Sequence, residues 1–220
     1  FRPDFSIPPI HRTHLFMLKI YHSTQSRSLR VVWLCEEIGL PYELVPLGMF
    51  TAEMKTAAYL EIHPLGKVPA IDDDGFELWE TAAIFDYLVA KNSDGALLPP
   101  RDTKPGALAA QWMGFGENPL TVIMGEIAAH GGPMPEEMKI PALVDRGHEI
   151  APALVGVIER ALGDQPYILG SSFSAADIML GFGLNIARYL GFVSEETPRL
   201  VDYCDRLSAR PAYRRAIEAG

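Results

Sequence analysis

Apolar residues follow two patterns in this chain, and the change between them divides it. Up to residue 91 they come in short runs broken by turn residues; beyond residue 102 they recur at helical spacing. Leu15-Phe16-Met17-Leu18-Lys19-Ile20-Tyr21 reads as a first strand. After a loop rich in hydroxyls, Leu29, Val32, Trp33 and Glu36 predict a helix as far as Gly39, and Gly39 before Pro41 is a good stop. Tyr42-Glu43-Leu44-Val45 follows as a second strand. Ala70-Ile71 and Phe76-Glu77-Leu78 flank the acidic turn Asp72-Asp73-Asp74-Gly75, which predicts a hairpin. From Thr81 onward Ile84 and Leu88, with Ala83 and Tyr87, keep helical spacing.

Residues 92–101, with Asn92-Ser93-Asp94-Gly95 and Pro99-Pro100, read as a linker. Residues 102–130 then hold a long helix that Gly114, Gly116 and Pro119 bend or interrupt. Leu143, Ile150, Leu154, Val157 and Ile158 carry another helix to Leu162, begun by Pro141 and kinked at Pro152. Ser174 with Asp177 resembles a capping box, with Phe173 placed to staple onto Ile178, so Asp177 reads as structural. The last helices span residues 198–209 and 211–219.

Two places carry candidate chemistry. At the start of the Thr81 helix, unpaired N–H groups and a partial positive charge suit a carboxylate. Thr81 adds a hydroxyl donor and Glu80 a negative charge for an ammonium group. A ligand bearing a carboxylate and an amine on one carbon satisfies both; plain helix capping explains the same pair. The second place is His22-Ser23-Thr24-Gln25-Ser26-Arg27-Ser28, ahead of the first helix, where one hydroxyl caps the helix. Arg27 places a cation in the first turn, against the helix dipole, which is better tolerated if it faces a bound anion. Cys35 sits inside the helix and no Cys-x-x-Cys occurs, so thiol–disulfide exchange is disfavoured and both cysteines read as buried thiols.

Gly66-Lys67-Val68-Pro69-Ala70 followed by Glu80-Thr81-Ala82-Ala83-Ile84 resembles the paired motif of the glutathione transferase superfamily. The resemblance covers about residues 15–219. It implies an α/β N-terminal thioredoxin-like domain (βαβ-α-ββα) over 15–91, the linker, and an all-α C-terminal domain over 102–220. It implies that Pro69 is cis, that the Val68 backbone pairs with the cysteinyl part of glutathione, and that Glu80 and Thr81 grip its γ-glutamyl group. Lys67 or His63 would meet the glycyl carboxylate, or lie solvated in the loop. Ser26, four residues before Arg30, matches the serine that activates the thiol in serine-using, bacterial-like classes; Ser23 and Tyr21 are the alternatives. Trp112 and Phe115, with Met113 and Pro119, would wall a site for a hydrophobic electrophile, or pack as core. The implied protein is a homodimeric cytoplasmic detoxification transferase with glutathione as co-substrate. A non-catalytic glutathione holder, or a glutathione-dependent isomerase, dehalogenase or peroxidase, would use the same cradle.

Composition narrows this. The net charge of −9 argues against nucleic acid as a partner, and two cysteines in 220 residues give no disulfide framework, which fits a reducing compartment. No apolar run approaches a membrane span, and no metal-ligand pattern stands out. Residues 1–14 hold three prolines and no signal-type apolar core, and Met17 fits an initiator, so they read as an upstream extension or remnant.

Overall fold

The computed structural model describes residues 17–49, 51–93 and 95–220, so the expectation about residues 1–14 lies outside the described residues. The first half runs β1 (Leu18–His22), α1 (Leu29–Ile38), β2 (Tyr42–Pro46), α2 (Ala57–Ile62), β3 (Ala70–Asp73), β4 (Phe76–Trp79) and α3 (Thr81–Asn92). The sheet order is β2-β1-β3-β4, with β1 and β2 parallel and the other neighbours antiparallel. This is the expected thioredoxin-like arrangement, joined to an all-helical second half.

Local chemistry sets the boundaries. Gly39 ends α1 at φ 66° and returns its N–H to the Cys35 carbonyl, a left-handed cap that glycine adopts without a Cβ penalty. The β3–β4 hairpin turns through Asp74 (φ 58°) and Gly75 (φ 84°), the left-handed pair favoured in two-residue turns. Strand alternation sends Leu18, Ile20 and His22 of β1 into the interior and leaves Lys19 and Tyr21 on the other face.

The second half comprises α4 (Lys104–Phe115), α5 (Val122–Gly131), α6 (Pro141–Leu162), α7 (Ala175–Tyr189), α8 (Pro198–Ser208) and α9 (Pro211–Ala219). The predicted break in the 102–130 helix falls at residues 116–121, where Asn118 leaves helical geometry (φ −144°, ψ 120°) and the Asn118–Pro119 bond is cis. Gly116 there presses on α7: a Cβ at that position would lie 2.9 Å from the Met179 carbonyl carbon. By contrast α6 keeps its helical assignment from Pro141 through Pro152 to Leu162. Pro152 lies on the exposed side, and so does His148, whose carbonyl loses its helical donor to the proline.

The core is continuous between the halves because α1 is shared. Arg30 through Cys35 are all buried. Trp33 meets Tyr213 of α9 edge-on at 4.7 Å and donates its indole N–H to Glu37 (2.8 Å). Arg210, at the head of α9, grips both Glu37 carboxylate oxygens (2.6 and 2.7 Å) and stacks over Phe173, 3.6 Å from the ring centroid. Phe173 thus stacks on an arginine as well as preceding α7.

Asp177 organises the start of α7. Its fully buried carboxylate accepts from the Ile168 N–H (2.9 Å), the Ser174 N–H (2.7 Å), the Ser174 hydroxyl (2.8 Å) and the Tyr203 hydroxyl (2.6 Å). Burial pushes the carboxyl above its ordinary value, and the donors pull against that. Asp177→Ala strands four buried donors. It is expected to cost about 3–5 kcal/mol in urea unfolding, against about 1 kcal/mol for Ser174→Ala.

Candidate functional site

The N-termini of α1 and α3 are tied together by one side chain. Arg30, in the first turn of α1, has no solvent exposure. Its Nη2 donates to the Thr81 Oγ1 (3.0 Å) at the head of α3 and lies 2.7 Å from Glu117 Oε2. The other Glu117 oxygen is 3.3 Å from Arg27 Nε. These carboxylate contacts are close but off the line of a hydrogen bond, and Arg30 Nη1 also lacks a partner among the described residues. Burial lowers the Arg30 guanidinium to about 10, with Glu117 opposing the fall, so it stays cationic at neutral pH. Glu117 comes from the irregular segment between α4 and α5. The helical half therefore supplies the counter-charge for the first half's buried cation.

Thr81 is buried, and because its oxygen accepts from Arg30 its own hydrogen remains available to donate. Glu80 beside it is exposed and held at φ 74°, an uncommon backbone angle for a side chain of this kind. Val68 is half-buried and precedes the first paired residue of β3; the Val68–Pro69 bond is cis. Lys67 is exposed, and its carbonyl accepts from the Tyr59 hydroxyl (2.6 Å). His63 is buried against Trp79 (ring centroids 5.3 Å apart), and its Nδ1 accepts from the Leu65 N–H (3.2 Å). Burial lowers its basicity and the Glu80 charge partly restores it.

The hydroxyl loop condenses into a chain. Ser26 Oγ lies 2.6 Å from Ser28 Oγ, which lies 3.0 Å from His22 Nδ1. Ser26 Oγ also accepts from the Ser28 N–H (3.2 Å), and Ser28 Oγ from the Ser23 N–H (3.2 Å). His22, Ser23, Ser26 and Ser28 are all buried. Burial lowers the His22 basicity, offset in part by the Gly220 backbone. Gln25, at φ 58°, turns the chain just before Ser26. Tyr21 is not part of this cluster. It lies on the opposite face of β1, against Tyr59 (centroids 5.3 Å apart).

Trp112 and Phe115 meet edge-on on α4 at 5.6 Å; Trp112 is buried in the main core and Phe115 is half-buried against it. Cys35 and Cys204 are both buried free thiols. Burial pushes Cys35 strongly up and Cys204 up to about 12, so neither supplies a thiolate at neutral pH. Among the described residues no cluster of three or more His, Cys, Asp or Glu could hold a metal ion, and no helix is long and apolar enough to cross a membrane.

Sequence reasoning missed Arg30, Glu117, His22 and Ser28. A signal existed for two of them. Arg30 stands at helical spacing from the apolar Trp33 and Leu34, and His22 continues the inward alternation of Leu18 and Ile20. Glu117 carries no such mark, because its role depends on a kink between two helices that lies far in sequence from its partners.

Residues 17–90 match the family described as "Glutathione S-transferase, N-terminal domain", and residues 141–206 match "Glutathione S-transferase, C-terminal domain". Among curated relatives, a probable glutathione S-transferase GSTF2 of Oryza sativa subsp. japonica is 32% identical, over 73% of this chain and 76% of that protein. The glutathione S-transferase-like protein gedE of Aspergillus terreus is 28% identical over 93% of this chain and 96% of its own. Among solved structures, a glutathione transferase family member from Pseudomonas fluorescens with two glutathione bound superimposes with a TM-score of 0.81 at 26% identity, covering 92% of this chain and 93% of that one. A glutathione transferase from Methylococcus capsulatus gives 0.80 at 27% identity, covering 92% and 98%.

The charge cluster makes a separable prediction. Glu117→Gln leaves a buried guanidinium uncompensated and is expected to cost about 2–4 kcal/mol in urea unfolding. Arg30→Met combined with Glu117→Gln is expected to cost clearly less than the two single changes added together, since both charges leave at once. Additive losses would show that the pair is not coupled.

Proposed function

Because the chain belongs to the glutathione S-transferase family, we propose that it joins the thiolate of glutathione to a hydrophobic electrophile. The observation that carries this is the head of α3. There a buried Thr81 hydroxyl, held by Arg30 and free to donate, stands beside an exposed Glu80 carboxylate. On this reading Thr81 and the first amides of α3 hold the γ-glutamyl carboxylate, and Glu80 holds its ammonium. Val68 pairs through its backbone with the cysteinyl part, next to Pro69. Lys67 suits the glycyl carboxylate better than His63. The lysine is exposed, while the histidine is buried with one ring nitrogen already used.

Ser26 is then the thiol activator of a serine-using enzyme. Ser23 is the alternative, and Tyr21, on the far face of β1, is the weaker one. A free thiol has a pKa near about 8.5, and lowering it by about two units requires roughly 2.7 kcal/mol of selective stabilisation. A hydroxyl donor and the N-terminus of α1 supply stabilisation of that order. Beyond ionising the thiol, the protein contributes proximity: it holds sulfur and electrophilic carbon together. Trp112 and Phe115, on the helix leading to Glu117, are the proposed wall for the electrophile. The proposed setting is a cytoplasmic homodimer acting in detoxification.

One observation favours a second reading, in which the protein holds glutathione without transferring it: Ser26 is only 6% exposed and its oxygen already engages Ser28. An isomerase, dehalogenase or peroxidase would share the same cradle.

Thiolate absorbance of bound glutathione, followed against pH, separates these. A lowered thiol pKa that returns toward the free value in Ser26→Ala is the transferase result; binding without any shift is the holder's. Thr81→Val is expected to weaken glutathione binding about tenfold, roughly 1.4 kcal/mol, by calorimetry. Unchanged affinity would remove Thr81 from the cradle.

A further inference from the structure

Ser28 is completely buried, and its hydroxyl has one hydrogen to share among crowded neighbours. It accepts from the Ser23 N–H, and its longest contact as a donor is the Ser23 carbonyl at 3.4 Å; the two shorter contacts send the hydrogen either inward to His22 Nδ1 or outward to Ser26 Oγ. The inward choice requires a bare Nδ1. Ser28 then points at His22, Ser26 points at Ser28, and Ser26 has no hydrogen left for a ligand. The outward choice requires a hydrogen on Nδ1. His22 then donates to Ser28, Ser28 to Ser26, and the Ser26 hydrogen is released toward whatever lies beyond it. At 2.6 Å and 3.0 Å the two links are short enough for the direction of one to fix the other.

We infer that His22 is the positioning residue of thiol activation, and that a hydrogen on its Nδ1 accompanies the thiolate of bound glutathione. The inference rests on the reading of Ser26 as the residue that faces the thiol. The proton balance closes within the chain. The thiol S–H bond breaks and its proton passes to Ser26 Oγ. The former Ser26 proton passes to Ser28 Oγ, and the former Ser28 proton forms the new N–H bond on His22. The sulfur keeps the electron pair, both serines end as hydroxyls, and every hydrogen in the relay has turned to face the sulfur. The ring's other nitrogen, Nε2, lies against Gly220, whose carbonyl also accepts from the Thr24 hydroxyl (2.5 Å). Nε2 has no aligned hydrogen-bond partner among the described residues. The described contacts of the ring are thus Ser28 on one side and the Gly220 backbone on the other, and burial and that backbone are the causes acting on it.

The test is nitrogen-15 NMR of the His22 ring in the glutathione complex, assigned by its loss in His22→Phe, together with thiolate titrations of Ser26→Ala and Ser28→Ala. The expected spectrum shows Nδ1 carrying hydrogen when the thiol is ionised; a bare Nδ1 with the thiolate present overturns the inference. Ser28→Ala, which keeps Ser26 and His22 but cuts the relay, is expected to raise the bound thiol pKa by about one unit, a tenfold loss of thiolate below it. The Ser26→Ala, Ser28→Ala double variant is expected to rise no further than Ser26→Ala alone. If Ser26→Ala raises the thiol pKa and Ser28→Ala does not, the relay is wrong and the reading of Ser26 stands. If Ser26→Ala leaves it unmoved, that reading fails and the relay fails with it. The NMR measurement on the unaltered protein holds even if His22→Phe folds poorly, because Ser28 is hydrogen-bonded to the His22 ring and to no other histidine among the described residues, so the ring signals that shift in Ser28→Ala are those of His22.

Discussion

A positive charge is buried inside the helix that both halves of the molecule share, and much of the site follows from keeping that charge balanced. Arg30 has lost all contact with solvent, so its guanidinium needs a carboxylate nearby and acceptors for its hydrogens. The sheet side of α1 offers the Thr81 hydroxyl, and the only carboxylate within salt-bridge distance of Arg30 among the described residues is Glu117. Glu117 is within reach because the chain between α4 and α5 abandons helical geometry, and because Gly116, lacking a side chain, lets that segment lie against the α7 backbone. A local exception to helix geometry in one half thus satisfies an electrostatic requirement in the other.

The same arrangement answers a wider problem. A chain with net charge −9 that is to hold an anionic peptide needs positive potential where the peptide lies. Two helix N-termini, Arg27 and Arg30 provide it within a small region, while Glu117 offsets one of the two positive charges. Hydroxyls make the close approaches. A serine or threonine donates and accepts without the desolvation cost of another buried ion.

Elements whose signals are local were legible in the sequence. The Gly39 stop, the Asp74-Gly75 hairpin and the interruption near Gly116 and Pro119 each follow from residues within a turn of the feature they cause. So did the residues at the head of α3 and in the hydroxyl loop, because helix starts advertise themselves. What was not legible depends on distant partners. Nothing near Glu117 announces that it faces Arg30, and nothing in the run His22 to Ser28 says which hydroxyls will touch. The loop's path, with Gln25 in a left-handed conformation, decides that. Pro152 is a different case: α6 keeps its helical assignment through the proline, which lies on an exposed face where water can serve a freed carbonyl.

The tie between α1 and α9 also bears on how the chain reaches this state. Arg210 and Glu37 are 173 residues apart, yet each completes the other's hydrogen bonds, and Trp33 packs against Tyr213 beside them. Contacts of such long separation close slowly, because the loop entropy is spent before the contact repays it. During synthesis the sheet and α1 leave the ribosome long before α9 exists, so an indole and a buried cation wait in water for their partners. The thioredoxin-like half thus shares its first helix with a partner that emerges much later in synthesis. The packing of α1 is completed only when α9 arrives.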